Sequence, residues 1–282
     1  MSIVTRFAPS PTGHLHLGHA YAALVAWRRA REAGGRFLLR LEDIDAARCR
    51  PVFADAILDD LAWLGLDWDG PVRTQSEHLA EYRAVLDALT ARGLIYPCFC
   101  TRAEVAREAA RSASAPHAPD GTPRYPGTCR GLTADERASR VAAGRPYALR
   151  LDMGRALATV GTPLTFEEDG EGTIDCHPTR FGDVVLARKD TPASYHLCVT
   201  HDDARQGVTL VTRAIDLKPA TDVHRLIQAL MGWPAPRYAH HRLLTDTEGR
   251  RLAKRDKAAT LLDLRSQGHS AAQVRAFVEA ML

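Results

Sequence analysis

The stretch from Arg6 to His19, Arg-Phe-Ala-Pro-Ser-Pro-Thr-Gly-His-Leu-His-Leu-Gly-His, constrains this chain more than any other. It joins a short apolar strand-like run to a segment whose apolar periodicity reads as a helix. His16 and His19 sit three residues apart where that helix begins. A helix start carries unpaired backbone N–H groups and a partial positive charge. Such a start is a ready anion site, and two imidazoles add donors for a phosphate. The stretch points to an enzyme that handles nucleotides.

The 282 residues leave room for one large domain or two smaller ones. Apolar residues make up 45% and charged residues 25%, a balance that supports a globular protein with a sizeable core. A net charge of +3 argues against a polycationic surface but allows a local basic patch. No apolar run approaches the roughly 18 residues that a membrane span needs. The N-terminus runs straight into the motif, so no leader is expected. Six cysteines without a secretion signal read as reduced thiols or metal ligands. A cytoplasmic protein, monomeric and without a membrane partner, is expected.

Periodicity predicts a strand over 2–8, a helix over 17–33 and a strand over 37–41 that ends in Glu42-Asp43-Ile44-Asp45. That is a βαβ unit whose first loop carries the histidines. Pro51 starts a helix reaching Leu64, and another helix spans about 77–92. Residues 96–130 hold three cysteines, and 112–127 are rich in Ser, Ala, Pro and Gly, so a loop-rich insertion is expected. Thr133 and Glu136 make a capping box for a helix ending at Gly144. Short strands with turns are expected over 147–188, and apolar strands over 195–202 and 207–213. A helix follows at 221–231, then a polar, basic tail at 240–259 and an amphipathic helix at 270–281. No internal repeat is evident.

Three separated segments carry chemistry: Arg6 to Gly13, His16-Leu17-Gly18-His19, and the basic run Arg251-Leu252-Ala253-Lys254-Arg255. Each alone has an ordinary explanation, since histidine pairs occur on many helices and basic runs are usually solvated faces. Their order along the chain is far more specific. It resembles the catalytic core of class I aminoacyl-tRNA synthetases, in particular the glutamyl group. Residues 6–19 resemble that family's His-Ile-Gly-His region, 39–45 its acidic strand end, and 251–255 its Lys-Met-Ser-Lys-Ser loop. Arg251 and Ala253 depart from the loop pattern, whereas Lys254 is retained. The resemblance runs over roughly residues 3–260.

This resemblance implies an α/β protein with a Rossmann-type catalytic domain, an inserted zinc-binding and connective region, and no anticodon-binding domain. The implied division is 1–95 and 191–238 for the two halves of the catalytic domain, 96–190 for the insertion, and 239–282 for the lysine loop and last helix. His16, His19 and Lys254 are the implied catalytic groups, binding ATP together with Gly18, and Mg²⁺ is expected to accompany ATP. Arg6, Phe7, Ala8, Pro9, Ser10, Glu42, Tyr195 and Arg213 are the implied L-glutamate site. Arg6 suits a carboxylate, and Glu42, at a strand end, suits the ammonium. Ala214 stands where the family usually has glycine. An acidic metal cluster at Glu42, Asp43 and Asp45 is the weaker reading, because the next helix offers no matching carboxylate.

Cys98, Cys100 and Cys129 suit tetrahedral zinc, and the resemblance adds Tyr125 as fourth ligand, with His117 as a fallback. Cys49, Cys176 and Cys198 read as structural. Twenty-eight residues follow Lys254, which is similar to a truncated branch of the family. That likeness implies tRNA-independent activation of glutamate and its transfer to queuosine at the wobble position of tRNA(Asp). Basic residues near 237–257 and Arg102, Arg107 and Arg111 are candidate RNA contacts. The rivals are a minimal enzyme charging tRNA(Glu) at its 3′ end, a nucleotidylyltransferase or small-molecule adenylate-forming ligase, and a non-catalytic RNA-binding relative.

Overall fold

A computed structural model describes residues 2–110, 117–244 and 259–281. The first βαβ unit comprises β1 (Val4–Phe7), α1 (Leu17–Glu32) and β2 (Arg36–Leu41). Ala20, Ala23, Ala26 and Ala30 give α1 a small-residue face, which lies close against the sheet. Thr5 donates its hydroxyl to the Ala26 carbonyl at 2.8 Å. Gly35 permits the return: an added Cβ there would meet the Ile3 carbonyl oxygen at 2.0 Å.

Next come α2 (Pro51–Trp63), β3 (Arg73–Thr74), α3 (Leu79–Ala91), β4 (Ile95–Cys98), α4 (Arg102–Ala110), α5 (Ala134–Ala142), β5 (Ala148–Leu151) and α6 (Met153–Val160). They are followed by β6 (Thr165–Glu168), β7 (Gly172–Asp175), β8 (Val185–Ala187), α7 (Tyr195–Arg205), β9 (Leu210–Ala214), α8 (Thr221–Met231) and β10 (Arg237–His241). After the undescribed segment come α9 (Leu261–Ser266) and α10 (Ala271–Glu279). No described helix is long and apolar enough to cross a membrane.

The strands β1, β2 and β3 pair in parallel, while β7, β6, β10 and β9 form a second, mixed sheet. The Thr209 N–H donates to the Val4 carbonyl at 3.0 Å, setting β9 beside β1 on the side away from β2. Strand order therefore reverses between β1 and β9. Open α/β sheets bind ligands at such a switch point, beyond the carboxyl ends of the strands. The strands β4, β5 and β8 form a separate antiparallel sheet.

One apolar core lies under α1, α2 and the last two helices, around Leu24, Leu39, Ile57, Leu61 and Val274. A second joins α3, α6, α7 and α8 to the antiparallel sheet, around Tyr82, Leu151, Leu186, Leu197 and Leu226. The expected capping box at Thr133 and Glu136 is present, with both reciprocal bonds formed. The strand expected over 195–202 is instead the helix α7. Leu197 to Asp203 are all buried, so apolar side chains do not fall on one stripe and helical periodicity is hidden. The insertion also holds the helix α4, and the region read as strands holds α6.

Candidate active site

A cavity of about 490 Å³ opens at the switch point. Arg6 and Phe7 at the end of β1 line it, with Ala8, Pro9 and Ser10 from the following loop. His16, Gly18 and His19 enter from the start of α1, Glu42 from the end of β2, Tyr195 from the start of α7 and Arg213 from β9. The Glu42 N–H donates to the Pro9 carbonyl at 3.0 Å, which ties the ends of the two strands together. Lys254, with Arg251 and Ala253, lies outside the described residues. Before that segment the chain lines the cavity, and after it the chain is tied beside His16. Leu243 and Leu244 line the cavity, and the Leu261 N–H donates to the Leu15 carbonyl at 2.8 Å, next to His16.

The two histidines behave differently from a bare helix start. His16 is the N-cap of α1, and its Nδ1 accepts from the Gly18 N–H at 3.1 Å. The His19 Nδ1 accepts from the His16 N–H at 3.2 Å, completing a capping box made of imidazoles. Their ring centroids are 3.8 Å apart. The backbone donors expected to face an anion are thus consumed by the caps. An imidazole that accepts at Nδ1 carries its proton on Nε2. The caps convert backbone donors into two imidazole donors of fixed tautomer, and the helix dipole remains behind them.

The other end of the cavity is a buried charge network. Arg6 donates from Nε to Asp203 at 2.9 Å and from Nη1 to the Thr212 carbonyl at 3.0 Å, so two of its three nitrogens hold it in place. Asp203 also accepts from Arg40 at 2.8 Å, and Arg40 reaches Glu42 at 3.2 Å. Two cations and two anions alternate here, all buried or nearly so. Burial pushes the Asp203 carboxyl up, but the charges of Arg6 and Arg40 outweigh it and hold the group below the ordinary range. Burial wins at Glu42, whose carboxyl is raised despite Arg40 and Arg6. An ammonium group beside Glu42 would add a further cation to this carboxylate and favour its charged form.

Arg213 is held in another way. It donates to His240 Nε2 at 3.1 Å, to His224 Nδ1 at 3.1 Å and to the Thr221 hydroxyl at 2.6 Å, and lies over the Tyr238 ring. Burial and the charge of Arg213 push His224 well below its ordinary value and His240 to about 3. No described carboxylate lies within ion-pair distance of Arg213. A second, smaller cavity of about 90 Å³ shares Ser10, Thr12, Glu42 and Tyr195 with the first and adds Asp45, Arg48 and Arg188.

Asp203, Arg40, His224 and His240 shape the site without having been foreseen. One signal was available: Arg40 interrupts the apolar run Phe37-Leu38-Leu39-Arg40-Leu41, and an arginine buried in a strand needs hydrogen-bonding partners, usually a carboxylate. Its partner, 163 positions away, could not be named from the chain.

Away from this cavity, the Sγ atoms of Cys98, Cys100 and Cys129 lie within 4.8 Å of one another. Cys100 and Cys129 are 3.5 Å apart, near the roughly 3.8 Å edge of a tetrahedron with zinc–sulfur bonds of about 2.3 Å. The Tyr125 oxygen is 3.8 Å from the Cys100 Sγ and accepts from the Cys129 N–H at 2.7 Å. His117 is exposed and stands outside this cluster of described residues. Burial raises the Cys100 thiol to about 12. Burial acts the same way on Cys129, but bonds from the Phe99 N–H, Tyr125 and Cys100 hold it below its usual value. These donors fit a metal ion.

Residues 2–280 match the family model of the catalytic domain of class I tRNA synthetases (E and Q). A glutamyl-Q tRNA(Asp) synthetase of Rhodobacter capsulatus is 49% identical, over 98% of this chain and 99% of its own length. One from Nocardia farcinica is 46% identical, over 97% of this chain and 82% of its own. Among solved structures, a glutamate tRNA ligase from Elizabethkingia meningosepticum in complex with its amino acid superposes with a TM-score of 0.76 at 29% identity. That match covers 91% of this chain, which spans about half (52%) of the longer ligase.

Proposed function

This chain belongs to the class I tRNA synthetases of the glutamyl and glutaminyl type, and from that premise we propose that it is a ligase acting on L-glutamate, ATP and the queuosine of tRNA(Asp). The observation that carries the reading is a charge match. One cavity combines Glu42 for an ammonium, Arg6 for the α-carboxylate and Arg213 for a side-chain carboxylate, next to the imidazole donors of His16 and His19.

In the first step an α-carboxylate oxygen of glutamate attacks the α-phosphorus of ATP. The bond to the β-phosphate oxygen breaks, pyrophosphate leaves and glutamyl-adenylate forms. Such a step needs positioning and charge stabilisation more than proton transfer. Arg6 and Glu42 orient the nucleophile, while His16, His19 and Lys254 stabilise the phosphate charge. Mg²⁺ accompanying ATP would neutralise phosphate oxygens. Glu42 is the single carboxylate on the described cavity wall and is paired with Arg40, so phosphate and water would be the main ligands. In the second step a hydroxyl of the queuosine diol attacks the adenylate carbonyl, AMP leaves and the hydroxyl proton passes to solvent. We assign that hydroxyl to the smaller cavity, which shares Ser10, Thr12, Glu42 and Tyr195 with the first. Cys98, Cys100, Cys129 and Tyr125 would hold zinc, which stabilises their loop.

Glutamate-dependent exchange of pyrophosphate into ATP, without tRNA, tests the first step. Labelled glutamate offered with queuosine-bearing tRNA(Asp) and with tRNA(Glu) tests the second. Exchange without tRNA and label on tRNA(Asp) are expected. Label at the 3′ end of tRNA(Glu) would identify a minimal glutamyl-tRNA synthetase instead.

A further inference from the structure

We propose that His224 and His240 are positioning residues that hold Arg213 through nitrogen lone pairs instead of a carboxylate, leaving its positive charge for the substrate's side chain. The inference rests on the glutamate reading above. Buried guanidinium groups are usually neutralised by a carboxylate, and Arg6 in the same cavity follows that pattern with Asp203.

Arg213 does not. Its Nε and Nη1 donate to one nitrogen each of His240 and His224, and its Nη2 to Thr221. An imidazole can accept from an arginine only when neutral and in one tautomer. The far nitrogen of each ring supplies that condition. His240 Nδ1 donates to Glu168 Oε2 at 2.7 Å, and His224 Nε2 lies 3.2 Å from His196 Nδ1, to which it donates. His196 is itself kept neutral by burial, with its pKa lowered to about 4. Both histidines therefore present a lone pair to Arg213 as neutral rings, and the Glu168 carboxylate lies one ring further away. The fork is fixed at three nitrogens, Arg213 lines the cavity, and each Nη carries a second N–H that can donate to a carboxylate. A side-chain carboxylate gains from that charge, whereas an amide of the same shape does not.

The test uses an isosteric pair in the full chain. H224N keeps a neutral acceptor near the position of Nδ1, and H224D places the same shape with a negative charge against Arg213. The Michaelis constants for glutamate and ATP are read in pyrophosphate exchange. H224N is expected to stay within about threefold of the parent for glutamate. H224D is expected to raise the glutamate constant roughly 100-fold, with ATP unmoved, and to narrow the preference for glutamate over glutamine by a similar factor. Equal glutamate constants in the two variants, or ATP and glutamate constants rising together, would overturn the inference. Should either variant fail to fold, H240Q and H240E make the same comparison on the Nε side, with the same outcomes deciding. A parent protein without glutamate-dependent exchange would remove the glutamate reading and this inference with it. An active parent with indistinguishable variants would remove this inference alone.

Discussion

The two ends of the cavity are built on opposite plans. At the end proposed to hold phosphate, His16, Gly18 and His19 cap one helix within four consecutive residues. At the end proposed to hold the amino acid, Arg6 finds Asp203 across 197 positions and the Thr212 carbonyl across 206. The local end needs only a helix start, whose orphan donors any side-chain acceptor can take. The distant end needs strands β1 and β9 and helix α7 to be assembled before Arg6 and Asp203 compensate each other. Damage to the first should weaken chemistry and spare the fold, while damage to the second should weaken both.

Lys254→Ala gives the largest expected effect. It should lower the rate of glutamate-dependent exchange about 10²–10³-fold, the usual cost of removing a group that stabilises transition-state charge. Thermal unfolding should not change. If the glutamate Michaelis constant rose instead of the rate falling, the lysine would belong to the amino-acid end and the division would break. Asp203→Ala comes next. It leaves Arg6 and Arg40 buried with one anion fewer, at a cost of about 3–5 kcal/mol. Denaturant unfolding should show that loss together with weaker glutamate binding; unaltered stability would mean that the network is not structural. The smallest effect on catalysis is expected from Cys129→Ser. Elemental analysis should find about one zinc per parent chain and far less in the variant, with the exchange rate little changed. A metal-free parent of undiminished stability would refute the zinc assignment.

Legibility in the chain followed the range of the interactions. The helix α1 and the Thr133–Glu136 capping box depend on residues close in the chain and could be read directly, whereas the imidazole caps of His16 and His19 were not, since histidine is an unusual capping residue. The helix α7 was misread as a strand, because burial of Leu197 to Asp203 erases the alternation that separates a helix from an apolar strand. The roles of Tyr195 and Arg213 came from family likeness; neither carries a local signal. His224 and His240 gave no hint at all, since an imidazole reveals its function only through what its two nitrogens touch.

The first strand and helix, the Thr133–Glu136 box and the spacing of the cysteines are therefore properties of the linear order, because they arise between near neighbours whatever the rest of the chain does. The compensation of charge is not. Whether Arg6 is neutralised by Asp203 while Arg213 keeps its charge depends on which groups folding brings within about 4 Å, where Coulomb energy in a low-dielectric interior outweighs thermal motion. That contrast between two arginines exists only once β9 lies beside β1.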